Sequence, residues 1–137
     1  MASEPVKLDW VSEQTVFRLE SYPSLAKLRS FAEGLFYVQD PSTLLAPALL
    51  GALSGESILD LCAAPGGKTT YIAQLIKNDG RVVARDIDPA RLKMVHENAE
   101  RLGATCVSTR SSEDALFDRV LVDAPCSNTG VMRRRVE

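Results

Sequence analysis

The sequence predicts an α/β fold, a parallel sheet with helices on its faces. Three observations predict it. Strand-like and helix-like segments alternate between residues 57 and 123, the pattern of strands joined by crossover helices. Two Asp-Pro pairs, Asp40-Pro41 and Asp88-Pro89, carry helix-start chemistry: a carboxylate to cap free N–H groups and a proline suited to the first helical position. Three aspartates, Asp60, Asp86 and Asp123, fall at or near the ends of three of the four strand segments, beyond which such sheets bind ligands.

Residues 1–33 form an N-terminal extension, and residues 34–137 the domain that follows it. Within the extension, residues 14–20 (QTVFRLE) alternate like a short strand, and residues 23–33 (PSLAKLRSFAE) read as a short helix stopped by Gly34. Residues 35–39 (LFYVQ) are strand-like. The helix opened at Asp40-Pro41 runs through Leu44, Leu45, Ala48, Leu49 and Ala52 to the neighbourhood of Gly55. Residues 57–61 (SILDL) are a short apolar strand. After a glycine-containing loop comes a helix with Ile72, Leu75 and Ile76 on one face, stopped by Asn78-Asp79-Gly80. Residues 81–86 (RVVARD) form a second strand. The helix opened at Asp88-Pro89 places Leu92, Val95, Ala99 and Leu102 in one stripe, with Gly103 as its stop. Residues 104–109 and 118–123 complete the strands.

Composition narrows the classes. The chain has 137 residues, of which 45% are hydrophobic and 25% charged, with a formal net charge of −2. That is an ordinary globular balance for one domain, and any polyanionic partner must be met by a local patch. Three cysteines at wide spacing and one histidine suggest neither a disulfide framework nor a metal cluster. No apolar run approaches the ~20 residues of a membrane helix, and the N-terminus lacks a signal peptide's features. A reducing cytoplasm is the expected compartment.

The loop after the first of these strands reads Cys62-Ala63-Ala64-Pro65-Gly66-Gly67-Lys68-Thr69. Its small residues let backbone approach a ligand, and the following helix offers free N–H groups. Asp86 stands 19 positions after Gly67, where an acid at the second strand's end accepts hydrogen bonds from a ribose. Two ligand classes compete. Gly67-Lys68-Thr69 matches the end of a P-loop, and Leu121-Val122-Asp123 could supply its magnesium acid. Yet the loop's opening glycine is Cys62, Ala63-Ala64-Pro65 is stiff, and Asp86 would have no role. A cationic, diol-bearing nucleoside such as S-adenosylmethionine suits three carboxylates better than a polyphosphate.

Residues 123–130 read DAPCSNTG and put the Cys126 thiol three positions beyond Asp123. A thiolate there is a candidate nucleophile. Methylation at C5 of a pyrimidine needs one: thiolate addition to C6 moves electron density to C5, C5 takes the methyl, and loss of the C5 proton expels the thiol.

The segments GLFYVQDPS (34–42), DLCAAPGGKTT (60–70) and DAPCSNTGVMRR (123–134) resemble successive motifs of the Sun/Fmu-type RNA cytosine-5 methyltransferases. The resemblance spans residues 34–135. It implies a Rossmann-like methyltransferase fold, S-adenosylmethionine as donor, and a cytosine in RNA as acceptor, ribosomal RNA first and transfer RNA second. By the same resemblance, Cys62, Ala63, Ala64, Pro65, Gly66, Gly67 and Lys68 hold the donor's methionine part and Asp86 its ribose. Asp123 lies near donor and target base, and Cys126 helps release product. The family's attacking cysteine usually follows in a later Thr-Cys motif. None is present after residue 126, so the expectation is an incomplete sheet and a catalytically inactive piece. The rival assignment makes Cys126 itself the attacker, and a fold-only RNA-binding or scaffold module is the non-enzymatic alternative. The family's acid after the third strand is replaced by serine within Arg110-Ser111-Ser112-Glu113-Asp114, with Asp114 as substitute. Cys106 reads as a small core hydrophobe, His96 as a surface residue, and Arg133-Arg134-Arg135 as either a solvated tail or a phosphate contact. A fourth strand without its neighbour is an association hazard, which makes a second copy a candidate partner.

Overall fold

The structure, a computed structural model, describes residues 2–13, 15–21, 24–110 and 115–124. Cys126, Asp114 and Arg133 to Arg135 lie outside the described residues, and so do Gln14 and Pro23. At the N-terminus β1 (Ala2–Pro5) and β2 (Phe17–Ser21) form an antiparallel ribbon. The 3₁₀ turn Leu25–Lys27 and the single-turn α1 (Arg29–Ala32) follow. The chain then builds α2 (Leu45–Leu50), β3 (Ser57–Asp60), α3 (Gly67–Leu75), β4 (Arg81–Ala84), α4 (Pro89–Arg101), β5 (Val107–Ser108) and β6 (Arg119–Leu121).

These last four strands make one parallel sheet in the order β5-β4-β3-β6. β3 is central, and its Asp60 sits opposite Ala84 of β4 and Leu121 of β6. The expected Rossmann-like parallel sheet with flanking helices is therefore the observed one. Its main core joins Ile58, Val82 and Leu121 of the strands to Ile72 and Ile76 of the α3 segment, with Leu50, Cys106 and Val107 packed against them. A second cluster joins Ala63 and Ala84 to Val95 of α4.

Both Asp-Pro pairs start helices as their chemistry predicts. Asp40 accepts from the Ser42 N–H at 2.9 Å and opens a 3₁₀ turn, Pro41–Leu44, that leads into α2. Asp88 accepts from the Ala90 N–H at 2.8 Å at the start of α4.

Several boundaries differ from the sequence reading. The helix expected over residues 23–33 is broken, because Leu28 is extended between the 3₁₀ turn and α1. Residues 35–39 are not a strand: the Phe36 carbonyl accepts from Arg101 and pairs with no ladder. Gly51, in the left-handed region at φ +62°, ends α2 well before Gly55. The strand expected over 104–109 shrinks to β5, because the Ala104 N–H bonds back to Ala99 in the closing turn of α4. Leu75 is 36% exposed whereas Ile72 and Ile76 are fully buried. The buried face of α3 turns instead through Ala73, which packs on Ala99 of α4.

At the amino ends of the strands Arg119 ties three elements together. It donates to both Glu56 carboxylate oxygens at 2.6 and 3.0 Å and to the Leu50 carbonyl at 2.8 Å. The opposite, carboxyl ends are where the three acids gather.

Candidate functional site

The loop after β3 is laid against the ends of its two neighbour strands. The Leu61 N–H donates to the Leu121 carbonyl (3.0 Å), the Ala63 N–H to the Arg85 carbonyl (3.0 Å), and the Ala64 N–H to Asp86 Oδ2 (3.2 Å). Gly66 turns the loop at φ +107°, and a Cβ there would come within 3.2 Å of the Val95 backbone. Only glycine meets both demands. Gly67 begins α3, and a Cβ on it would collide with the Gln39 side chain and lie 2.8 Å from the Tyr37 ring. Residues 37–39 thus press directly on the first turn of α3.

The three acids have three environments. Asp60 is 1% exposed. Its Oδ2 accepts from the Thr69 hydroxyl at 2.7 Å, while Oδ1 is buried with no hydrogen bond of good geometry among the described residues. Burial pushes this carboxyl up from its ordinary range, opposed by the Thr69 hydroxyl and the Lys68 charge. Asp86, two residues beyond β4, accepts from the Asp88 N–H (3.1 Å) and the Ala64 N–H, with Arg91 Nη1 at 3.9 Å from Oδ1. Chiefly through the Asp88 amide, it is held below the ordinary carboxylate range. Asp123, two residues beyond β6, pairs with Lys68 Nζ at 2.6 Å.

Around these groups lies a cleft of about 490 Å³. It brings together Cys62, Ala63, Ala64, Pro65, Gly67, Lys68, Asp86 and Asp123 from the predicted set. Gly66 and Asp60 do not line it: the first shapes the loop, the second lies buried at the end of β3 and bonds to Thr69 of α3. Sequence reasoning favours packing over base stacking for Tyr37 and assigns no site role to Val38, Gln39, Thr43, Ile87 or Arg91, yet all six line the cleft. Two signals were available: three of them fall in the GLFYVQDPS segment, and Ile87 directly follows Asp86. A larger cavity, about 1110 Å³, runs between the β2 ribbon and α3 and contains none of the three acids.

The loop geometry also bears on the choice between the two ligand classes. A phosphate cradle needs free amides aimed at the ligand. Here the Ala63 and Ala64 amides are already spent on Arg85 and Asp86. The carbonyls of Ala64 and Pro65 accept from Arg91 Nη2 (3.2 Å) and Asn98 Nδ2 (2.9 Å). What remains is a largely apolar space lined by two carboxylates, Asp86 and the Lys68-paired Asp123, and it suits a cationic nucleoside better than a polyphosphate.

Comparison with known proteins agrees with this geometry. A family model described as 16S rRNA methyltransferase RsmB/F matches residues 47–137. The probable ribosomal RNA small subunit methyltransferase B of Bacillus subtilis (strain 168) is 38% identical, the match covering 98% of this chain and 32% of that protein. The ribosomal RNA small subunit methyltransferase B of Photorhabdus laumondii is 50% identical over 78% of this chain and 27% of its own length. Among solved structures, NSun6 from Pyrococcus horikoshii, determined with the S-adenosylmethionine analogue SFG, superposes with a TM-score of 0.69 at 38% identity, covering 80% of this chain and 30% of that one. A methyltransferase homolog protein from the same organism reaches a TM-score of 0.79 at 37% identity, over 97% of this chain and 46% of that one. The chain spans about a third of the length of the curated relatives it matches.

Proposed function

This chain belongs to the RsmB/F family of 16S rRNA methyltransferases, and from that premise we propose that it carries the donor-binding half of an S-adenosylmethionine-dependent RNA cytosine-C5 methyltransferase. One observation carries the reading: the loop after β3, the Asp86 carboxylate and the Lys68–Asp123 pair enclose a single cleft at the carboxyl ends of the strands. We divide the chain accordingly into an extension, residues 1–33, and a partial catalytic domain, residues 34–137.

The residues fit the donor. Asp86 is anionic at neutral pH, and two backbone amides fix its orientation, so its remaining lone pairs can accept from ribose hydroxyls. Ile87, 98% exposed beside it, offers an apolar face to a purine ring. Cys62, Ala63, Ala64, Pro65 and Gly67 present small side chains and backbone to the methionine part, with Gly66 shaping the loop and Lys68 held on Asp123, and the Asp86 carboxylate favours a cationic ligand. When bound, the donor supplies an electrophilic methyl group. Asp123 holds a negative charge toward the target base, with Lys68 fixing its orientation at 2.6 Å. By family resemblance, Cys126 assists product release, and the family's attacking thiol belongs to a second cysteine in a Thr-Cys motif.

The acceptor is RNA, ribosomal RNA in the first instance. No helix of the described residues is long and apolar enough to cross a membrane, and we assign a cytoplasmic location. Pairing of a second copy along β6 is supported by its place at the sheet edge and by half-exposed Val120; light scattering across concentrations tests it. Calorimetric titration with S-adenosylmethionine tests the main reading. Binding is expected, weakened at least tenfold by Asp86→Ala through loss of a charge-assisted acceptor. Tight binding of ATP in its place, or an Asp86→Ala affinity equal to wild type, overturns it.

A further inference from the structure

The two walls of the cleft belong to distant parts of the chain, and one helix holds both. One wall is the loop after β3. The other is the strap of residues 29–39, which delivers Tyr37, Val38 and Gln39 to the cleft. Arg91, Asn98 and Arg101 of α4 stand seven and then three positions apart, on one helical face. Arg91 Nη2 donates to the Ala64 carbonyl and Asn98 Nδ2 to the Pro65 carbonyl, both on the loop. Arg101 Nη1 donates to the strap's carbonyls at Phe31 (2.9 Å) and Phe36 (3.2 Å). Its guanidinium also lies 4.1 Å from the Phe31 ring centroid, and Phe31 meets Phe36 edge-on at 5.6 Å. The two grips are joined, because Arg101 Nη2 donates to Asn98 Oδ1 at 3.3 Å. Gly34 seats the strap on the end of α4: it is left-handed at φ +73°, and any Cβ would strike the Arg101 carbonyl.

We propose that Asn98 and Arg101 are positioning residues for the donor site, a coupled pair on α4 that sets the distance between the loop wall and the strap wall of the cleft. Neither lines the cleft. Both act on it through the backbone carbonyls they hold, so the effect of losing either is transmitted to groups more than one contact away. The inference rests on the donor-binding reading for its consequence in affinity but not for its structural content.

The test uses the chain as it stands, with S-adenosylhomocysteine as calorimetric probe. Arg101→Met keeps the aliphatic stem and removes the donors; Asn98→Leu keeps the volume and removes both bonds. Each is expected to weaken binding roughly tenfold, and the double variant to weaken it by less than the product of the two, because the residues share a bond. Arg119→Met is the control for stability alone: it breaks the tie at the far ends of the strands and is expected to lower the melting temperature while leaving affinity within about twofold. Hydrogen exchange provides a ligand-free arm. Arg101→Met and Asn98→Leu are each expected to raise exchange at residues 34–39 and 62–65 together, and Arg119→Met at neither. If one α4 variant fails to fold, the other decides. Affinities equal to wild type, or exchange that rises in one wall only, overturn the proposal. A wild-type chain that binds no probe counts against the proposed function, while the exchange arm still decides this inference.

Discussion

Replacing Thr69 by valine removes the only hydrogen bond of good geometry that Asp60 receives among the described residues, at almost constant shape. The bond is 2.7 Å long and its acceptor is 1% exposed, so water does not restore it. A hydrogen bond to a charged group contributes roughly 1.5–3 kcal/mol. Thr69→Val is therefore expected to destabilise the fold by about 2 kcal/mol at a pH above the folded value, where Asp60 is ionised, or roughly 6–10 °C in melting temperature for a chain of this size. Asp60→Asn acts differently. It keeps an oxygen for the Thr69 hydroxyl and withdraws a buried charge, so stability stays within about 1 kcal/mol of wild type. In the Asp60→Asn background the Thr69→Val cost falls to about 1 kcal/mol, the worth of a neutral bond. The folded-state pKa of Asp60 is raised by burial, so its contribution is complete below the unfolded value of about 3.9 and is lost as pH rises through the folded value. Relative to wild type, Asp60→Asn gains stability as pH rises from about 4 through the folded value. Urea unfolding followed by circular dichroism at several pH values measures all of this. If Asp60→Asn costs as much as Thr69→Val, or the cycle shows no coupling, the assigned bond does not carry the site.

Asp86 has the opposite sign: its pKa is lowered in the fold, so the destabilisation caused by Asp86→Asn is full at pH 7 and disappears as acid unfolding experiments pass below about pH 4 through the folded value. Gly67→Ala drives a methyl into Gln39 and Tyr37; calorimetry and thermal melts are expected to record about 1–3 kcal/mol of lost stability together with weaker donor binding. Lys68→Met breaks a pair whose Asp123 partner is 52% exposed, so unfolding free energy is expected to change by less than about 1 kcal/mol. Ile72→Ala is expected to cost about 2–5 kcal/mol and Leu75→Ala under about 1, a contrast that chemical denaturation resolves.

Much of this was legible in the sequence wherever a residue acts through its own side-chain type. The Asp40 and Asp88 caps work locally, within two residues of their targets. Asp60, Asp86 and Asp123 were placed by strand period and spacing, and all but the buried Asp60 reach the cleft. Features decided by backbone acceptors far along the chain were not legible. Residues 35–39 read as strand-like, but Arg101, 65 positions from Phe36, takes the carbonyl a ladder would use. β1 was missed because ASEP carries no strand pattern, and only the register with β2 makes it one. Leu75 was misplaced because the apolar stripe of α3 drifts toward Ala73 and α4, which a single-helix projection does not register. The roles of Arg91 and Asn98 were silent for the same reason as that of Arg101: carbonyl partners leave no trace in residue identity.

The Arg119 tie lies at the amino ends of the strands, and the cleft lies at the carboxyl ends. One pole of the sheet thus serves durability alone, and the other serves durability and selectivity together. Substitutions near Glu56 and Arg119 alter how long the fold persists, while those around Asp86 alter both that and what it holds. A lineage can adjust its thermal tolerance at one pole without renegotiating ligand choice at the other.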